Sequence, residues 1–188
     1  MLKGIDISNY QKPREVNYSA YDFYMIKASE GRTIKDSLLD THYNNIAAHH
    51  KLYGFYHYAH PENNSMTVEA KRFLDLVGHH AGRCIYALDW EGRALKYGAD
   101  KALEWLRYVY KATGVRPLFY TSASNTGRYV KIFKENYGLW VAHYGVKRPS
   151  VRGWKTWAMW QYSDSHNLDK DYFNGNKKTW EAYCKKGK

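Results

Sequence analysis

The segment Cys84-Ile85-Tyr86-Ala87-Leu88-Asp89-Trp90-Glu91-Gly92 is an apolar, strand-like run that finishes in two carboxylates one residue apart. Side chains alternate between the two faces of an extended strand, so Asp89 and Glu91 project the same way while Trp90 points oppositely. Two acids held close on a rigid element repel when both are ionised. One proton is therefore retained to higher pH, and the pair can divide acid and base roles.

Outward from this run, short apolar stretches recur at 4–7, 24–28, 53–58, 118–121, 139–142, 157–161 and 168–171, which with 84–89 makes eight strands. Amphipathic segments lie between several of them. Ala70, Phe73, Leu74 and Val77 recur at i, i+3, i+4, i+7, and Leu103, Leu106, Val109 and Tyr110 form a second stripe, with Asp100 as its expected N-cap and Gly114 as its stop. Residues 39–50 and 126–136 also read as helical. After Leu139 the intervals are too short for full crossover helices. The pattern predicts a single α/β domain over residues 1–188, an irregular (β/α) barrel of eight strands with fewer than eight helices.

A parallel barrel gathers function at the C-terminal ends of its strands. Near those ends stand Asp6, Lys27, Tyr58, Asp89, Glu91, Tyr120, Trp140, Gln161 and Asp169, of which four are acids. An ordinary core has no reason to collect carboxylates at successive strand ends, because each must be desolvated or paired. For Asp6 a structural reading stands beside the functional one, as a buried acid paired with Lys27.

Composition narrows the partners. Lys and Arg outnumber Asp and Glu by 29 to 18, a net charge of +11 that should draw the molecule to polyanions. Nucleic acid is one candidate, but no zinc-finger spacing or aromatic-basic ribonucleoprotein motif accompanies the charge. A bacterial wall with anionic polymers suits dispersed cations and acidic strand ends better. The 19 Tyr and 7 Trp suit a groove for sugars, whose CH faces stack on rings and whose hydroxyls need partners, with core packing as the plainer role for any one ring. Cys84 and Cys184 do not make a disulfide framework. Nine His include His57-x-x-His60 and the pairs His49-His50 and His79-His80, but no H-E-x-x-H helix or Cys-rich frame. No metal or other cofactor is expected, and the His pairs read as solvated helix ends. With no signal-peptide core after Met1 and no membrane-spanning run, the chain is expected to be made soluble, not to insert into membranes, and to reach its target after release or export.

The ordered set Gly4-Ile5-Asp6-Ile7-Ser8 followed by Tyr10-Gln11, Ile26-Lys27-Ala28-Ser29-Glu30-Gly31, Gly54-Phe55-Tyr56-His57-Tyr58, Ala87-Leu88-Asp89-Trp90-Glu91, Phe119-Tyr120-Thr121-Ser122, Leu139-Trp140-Val141-Ala142, Trp160-Gln161-Tyr162 and Leu168-Asp169 resembles the family 25 glycoside hydrolases, lysozymes that cut peptidoglycan. The resemblance implies a distorted eight-stranded barrel and hydrolysis of the β-1,4 bond after N-acetylmuramic acid. It implies Glu91 as general acid, Asp89 as stabiliser of the oxocarbenium or oxazolinium intermediate, and Asp6 with a last-strand aspartate completing the acidic set. Asp169 fits that last motif best, and Asp171 shares its face; the pair Lys170-Asp171 departs from the family's usual apolar residue followed by Asn or Asp. Lys27, Tyr58, Tyr120, Trp140, Gln161 and Asp171 are implied groove residues. Relatives frequently carry wall-binding repeats, a task that the charge of +11 is expected to share. Retention, inversion and attack by the sugar's own acetamido group all stay open from spacing, the last being favoured. Two other readings are a chitinase-like or endo-N-acetylglucosaminidase barrel and a catalytically dead sugar-binding module.

Overall fold

The structure, a computed structural model, describes residues 1–187. Its strands are β1 (Leu2–Ile7), β2 (Phe23–Glu30), β3 (Ile34–Lys35), β4 (Leu52–Tyr58), β5 (Ile85–Asp89), β6 (Leu118–Ser122), β7 (Gly138–Ala142), β8 (Met159–Ser163) and β9 (Asp169–Phe173). Its helices are α1 (Leu39–Ala48), α2 (Met66–Val77), α3 (Ala99–Thr113), α4 (Val130–Lys134) and α5 (Lys177–Cys184). Eight strands close in the order β1-β9-β8-β7-β6-β5-β4-β2, and β1 pairs with β2 to complete the barrel. Seven of the eight run parallel; β9 is antiparallel to both β1 and β8. The eight expected strands are all present. β3, a two-residue exposed addition antiparallel to β2, has too little sequence to show a period.

Alternation along each strand separates two cores. Outward residues such as Ile5, Tyr24, Phe55, Tyr86, Leu88, Trp90, Phe119 and Val141 pack under the helices. Inward residues fill the barrel, and their character changes along its axis: Phe23, Ile85, Leu118, Met159 and Phe173 form the lower layer. Helix α5 plugs that lower end, with the Trp180 ring 4.8 Å from Phe23 and 5.0 Å from Phe173. One or two inward positions higher on the same strands stand Lys27, Asp89, Tyr120, Gln161 and Asp171. A dry floor under a polar mouth follows from period two combined with an apolar-to-polar gradient along each strand.

Connections between β7 and β9 lack α-helices, as the short intervals require. Gly114 ends α3 in the left-handed region (φ 73), as expected. Asp100 does not cap that helix: Gly98 holds the cap position, and Asp100 lies in the first turn, paired with Lys131. There it still complements the helix dipole. The helix expected over 126–136 is a 3-10 turn (Thr126–Tyr129) followed by the short α4, with Asn136 left-handed just beyond (φ 63). His49 and His50 are exposed, but His80 is buried against Tyr43, Tyr53 and Phe55. Burial pushes its pKa down to about 4, so it packs as a neutral aromatic ring rather than a solvated helix end.

Asp171 is 0% exposed within the barrel, where the Trp140 indole N–H donates to its Oδ1 at 2.8 Å and its carboxyl group meets that of Asp6. Burial raises its pKa, hydrogen bonds with Asp6 and Trp140 oppose part of the rise, and the charge of Asp169 adds to it. The folded state therefore binds a proton that the unfolded chain has already released, and stability falls as pH climbs from the ordinary carboxylate range through the raised value. Asp171→Asn keeps an acceptor for Trp140 and removes the charge. Thermal melts should show the variant more stable at pH 8 by roughly 2–4 °C, the shift that about 1 kcal/mol produces in a chain of this size, and indistinguishable at pH 4. A lower melting temperature at pH 8 would contradict this account.

Candidate active site

The polar mouth opens into a cavity of about 880 Å³, lined by Asp6, Lys27, Tyr58, Asp89, Glu91, Tyr120, Trp140, Gln161 and Asp169 among others. Every residue singled out at a strand end in the sequence reaches this one cavity. Strand β5 delivers the acid pair. Pairing continues beyond its end, since the Trp90 N–H donates to the Tyr120 carbonyl at 3.0 Å. Trp90 itself is fully buried on the outer side, its indole N–H 3.1 Å from the Tyr129 hydroxyl. Glu91 keeps extended dihedrals (φ -144, ψ -171), so Asp89 and Glu91 project inward together. Gly92 then turns the chain away in the left-handed region (φ 54), where an added Cβ would lie 2.9 Å from the Tyr58 hydroxyl.

Burial raises the pKa of both carboxyl groups. The negative charge of Glu91 raises Asp89 further, Asp169 raises Glu91, and the Lys27 ammonium opposes both rises. Asp89 is the deeper of the two, 7% exposed, with its Oδ1 unpartnered among the described residues. Glu91 stands half-buried at the edge. A pair in this setting holds a proton above the usual carboxylate range, with one member open to a ligand.

Gln161 organises the opposite wall. Its Oε1 accepts the Tyr120 hydroxyl at 3.0 Å and the Tyr144 hydroxyl at 2.5 Å, while its Nε2 donates to Asp6 Oδ2 at 2.8 Å. Asp6, 6% exposed, is raised by burial and by the charges of Asp171 and Asp169. The pairing of Asp6 with Lys27 that the sequence suggested is not formed: Lys27 Nζ donates to Glu30 Oε2 at 2.6 Å instead. Because β9 runs antiparallel, its first residue is at the mouth. Asp169 faces Asp6 across the sheet and lines the cavity; Asp171, two residues deeper on the same face, does not.

Tyr56, Tyr144, Tyr10, Glu15 and Asp164 also line the cavity and are not among the expected site residues, although Tyr10 and Tyr56 belong to the matching segments. Tyr56 follows from strand alternation, as the inward residue two before Tyr58. Tyr10, Glu15, Tyr144 and Asp164 lie between strands, where no periodicity marks them, and Tyr10 is 78% exposed. The His57-x-x-His60 rings engage different carboxylates, His57 that of Glu69 and His60 those of Glu30 and Glu62.

Comparison with known proteins agrees with this geometry. The sequence model for glycosyl hydrolases family 25 matches residues 5–171. An N,O-diacetylmuramidase of Arthroderma benhamiae is 32% identical over 99% of this chain and 88% of its own. The bacterial lysozyme from Streptomyces coelicolor superposes with a TM-score of 0.85 at 28% identity, covering 97% of this chain and 96% of that one. A family GH25 lysozyme from Aspergillus fumigatus gives 0.84 at 30% identity, covering 98% and 99%. With the barrel, its mouth and the match across 5–171 in agreement, this chain belongs to glycosyl hydrolases family 25 and is a glycoside hydrolase of the lysozyme kind.

Proposed function

We propose that the protein cleaves the β-1,4 bond between N-acetylmuramic acid and N-acetylglucosamine in the peptidoglycan of bacterial walls. The observation that carries the assignment of roles is the pair on β5, two raised carboxyl groups held to one side of an extended chain at the edge of an open cavity. Glu91, the more exposed member, gives its proton to the departing glycosidic oxygen. Asp89, deeper and with an unpartnered oxygen, accepts the acetamido N–H and stabilises the positive charge that develops as the bond breaks. Attack by the substrate's own acetamido oxygen then gives an oxazolinium ion, which water opens with retention as the Glu91 carboxylate takes the water's proton and is restored as the acid. Asp6 and Asp169 supply negative potential on the facing wall, and the half-buried Tyr58 ring offers an apolar face to the sugars while Tyr120 and Trp140 form the packed wall behind it. Asp171 acts from beneath, by fixing Trp140 through the indole hydrogen bond.

The charge of the molecule is divided. Six acids line the cavity, Asp6, Glu15, Asp89, Glu91, Asp164 and Asp169, and Lys27 is the one Lys or Arg among its lining residues. By contrast, between Arg116 and Trp160 the chain carries eight Lys or Arg and a single acid, Glu135. Arg128, Lys134, Lys147, Arg148, Arg152 and Lys155 of this stretch are exposed, with no salt-bridge partner among the described residues. We assign to these cations an attraction to anionic wall polymers that holds the enzyme near its substrate without entering the cleft.

Positioned proton donation is typically worth about 10²- to 10⁴-fold in rate, so Glu91→Gln should fold normally, by circular dichroism and melting temperature, and lose at least that much wall-clearing activity. An active Glu91→Gln enzyme would remove Glu91 from the acid role. Mass spectrometry of digests should find products with a reducing muramic end from peptidoglycan and none from chitin. Proton NMR of the first-formed anomer should show retention. Sedimentation with purified walls should lose most binding between 0.15 M and 1 M salt, where the screening length shrinks from about 8 Å to about 3 Å; binding that ignores salt would reject the electrostatic attraction.

A further inference from the structure

In a regular strand Lys27 and Glu30 would face opposite sides, since three positions separate them. Strand β2 is irregular between them. Lys27, Ser29 and Glu30 stand opposite Tyr56, His57 and Tyr58 of β4, so one extra residue, Ala28, is accommodated and Glu30 returns to the side of Lys27. The irregularity is locked from outside the barrel. Ser29 Oγ lies 2.8 Å from His57 Nδ1, and His57 Nε2 lies 2.7 Å from Glu69 Oε2. All three are 0% exposed, and the His57 ring stacks on Trp105. This buried Ser-His-Glu chain has no opening to a ligand and serves to hold the bulge.

Glu30 now bridges two cations. Its Oε2 accepts Lys27 Nζ at 2.6 Å, and its Oε1 lies 2.8 Å from His60 Nε2. The other ring nitrogen, His60 Nδ1, lies 2.9 Å from Glu62 Oε1. A neutral imidazole has one N–H, and a carboxylate cannot donate to the nitrogen left over. Only the imidazolium satisfies both contacts. We propose that His60, as an imidazolium, is a positioning residue of the active site: it ties Glu30 on β2 to Glu62 on the loop after β4, and so fixes the Lys27 ammonium in the cavity shared with Asp89 and Glu91. The role in catalysis rests on the function proposed above.

The surroundings of His60 favour the charged form. Burial disfavours it, but the hydrogen bonds and charges of Glu30 and Glu62 outweigh burial and hold its pKa above the ordinary value, while Glu30 is held below its own. The other charged or titratable groups facing this cluster are Lys27, Tyr58, His57, Arg93 beside Glu62, and Glu69, whose Oε2 accepts the His60 backbone N–H. As pH rises through the raised His60 value, one of its two contacts becomes a lone pair against a carboxylate oxygen. The Glu30-His60-Glu62 link is broken at one end, and the restraint on Lys27 through Glu30 weakens with it.

His60→Gln, with an uncharged NH2 donor group on one side and a carbonyl acceptor on the other, stands in for the neutral ring; His60→Arg keeps the cation at every pH. Nitrogen-15 NMR should find His60 doubly protonated at pH 6, and carbon-13 titration of Asp89 and Glu91 should shift upward in His60→Gln and return in His60→Arg. That shift should vanish in a Lys27→Met background. In the pH profile, His60→Gln should lose about five- to tenfold in kcat at pH 6 with KM within about twofold, the scale of coupling inside one ion-pair network, and His60→Arg should restore it. A neutral His60 at pH 6, or carboxyl titrations that ignore His60→Gln, overturns the proposal. If the NMR results hold and wall hydrolysis is absent, the clamp stands and the proposed function fails.

Discussion

Burying carboxyl groups of like charge side by side is the constraint on which the rest of this structure depends. Asp6, Asp89, Glu91 and Asp169 converge where the barrel interior meets solvent, and burial lifts the pKa of each. In water such a cluster would be four screened charges. Against a wall of Tyr56, Tyr120 and Trp140 it becomes a reservoir that keeps protons above the ordinary carboxylate range. The lower half of the barrel makes this tolerable: Phe23, Ile85, Met159, Phe173 and Trp180 form a solid floor, so the mouth is held rigid while it carries an unfavourable charge arrangement.

Closure of the barrel decides which acids meet. The seven parallel strands can each bring a residue to the mouth only by the C-terminal end. Strand β9, antiparallel, brings its N-terminal residue instead, so Asp169 enters at the level of Asp6 while Asp171 is carried down to Trp140. Two acids on one face of one strand thus take different environments from direction alone. The one at the mouth is available to a ligand; the lower one is spent on orienting a ring.

The parts of this arrangement that obey period two were legible in the sequence. The eight strands, the shared face of Asp89 and Glu91, and the ranks of Lys27, Tyr58, Tyr120, Trp140 and Gln161 all follow from alternation plus a polar residue at a strand end. What breaks period two was not. Lys27 looked like a partner for Asp6 because a regular β2 turns Glu30 away, and only the bulge at Ala28, pinned by His57 and Glu69, brings Glu30 within 2.6 Å. His80 looked solvated because a His pair after a helix usually is, whereas here the ring completes an aromatic cluster under the sheet. Tyr10 and Tyr144 reach the cavity from loops, whose course is set by contacts such as Gln11 to the Asn167 carbonyl and Tyr144 to Gln161, between residues distant in the chain.

Charge segregation gives the acid cluster its context. A molecule of net charge +11 would normally depress the pKa of every carboxyl group it carries, since a positive field favours the ionised form. The raised values at the mouth survive because the cations sit elsewhere, in exposed positions such as Lys134, Arg152 and Lys155, where solvent screens them over about 8 Å at physiological salt. Lys27 is the exception placed inside, and it is not free: Glu30 neutralises it at contact distance, and His60 restrains Glu30 from behind. An unpaired ammonium at that point would pull the proton off the Asp89 and Glu91 pair, while an apolar residue would leave the pair with more repulsion than a mouth open to water can hold. A lysine whose charge is mostly spent on its own partner is the intermediate setting, and it lets one carboxyl group in the mouth stay protonated beside another that is ionised.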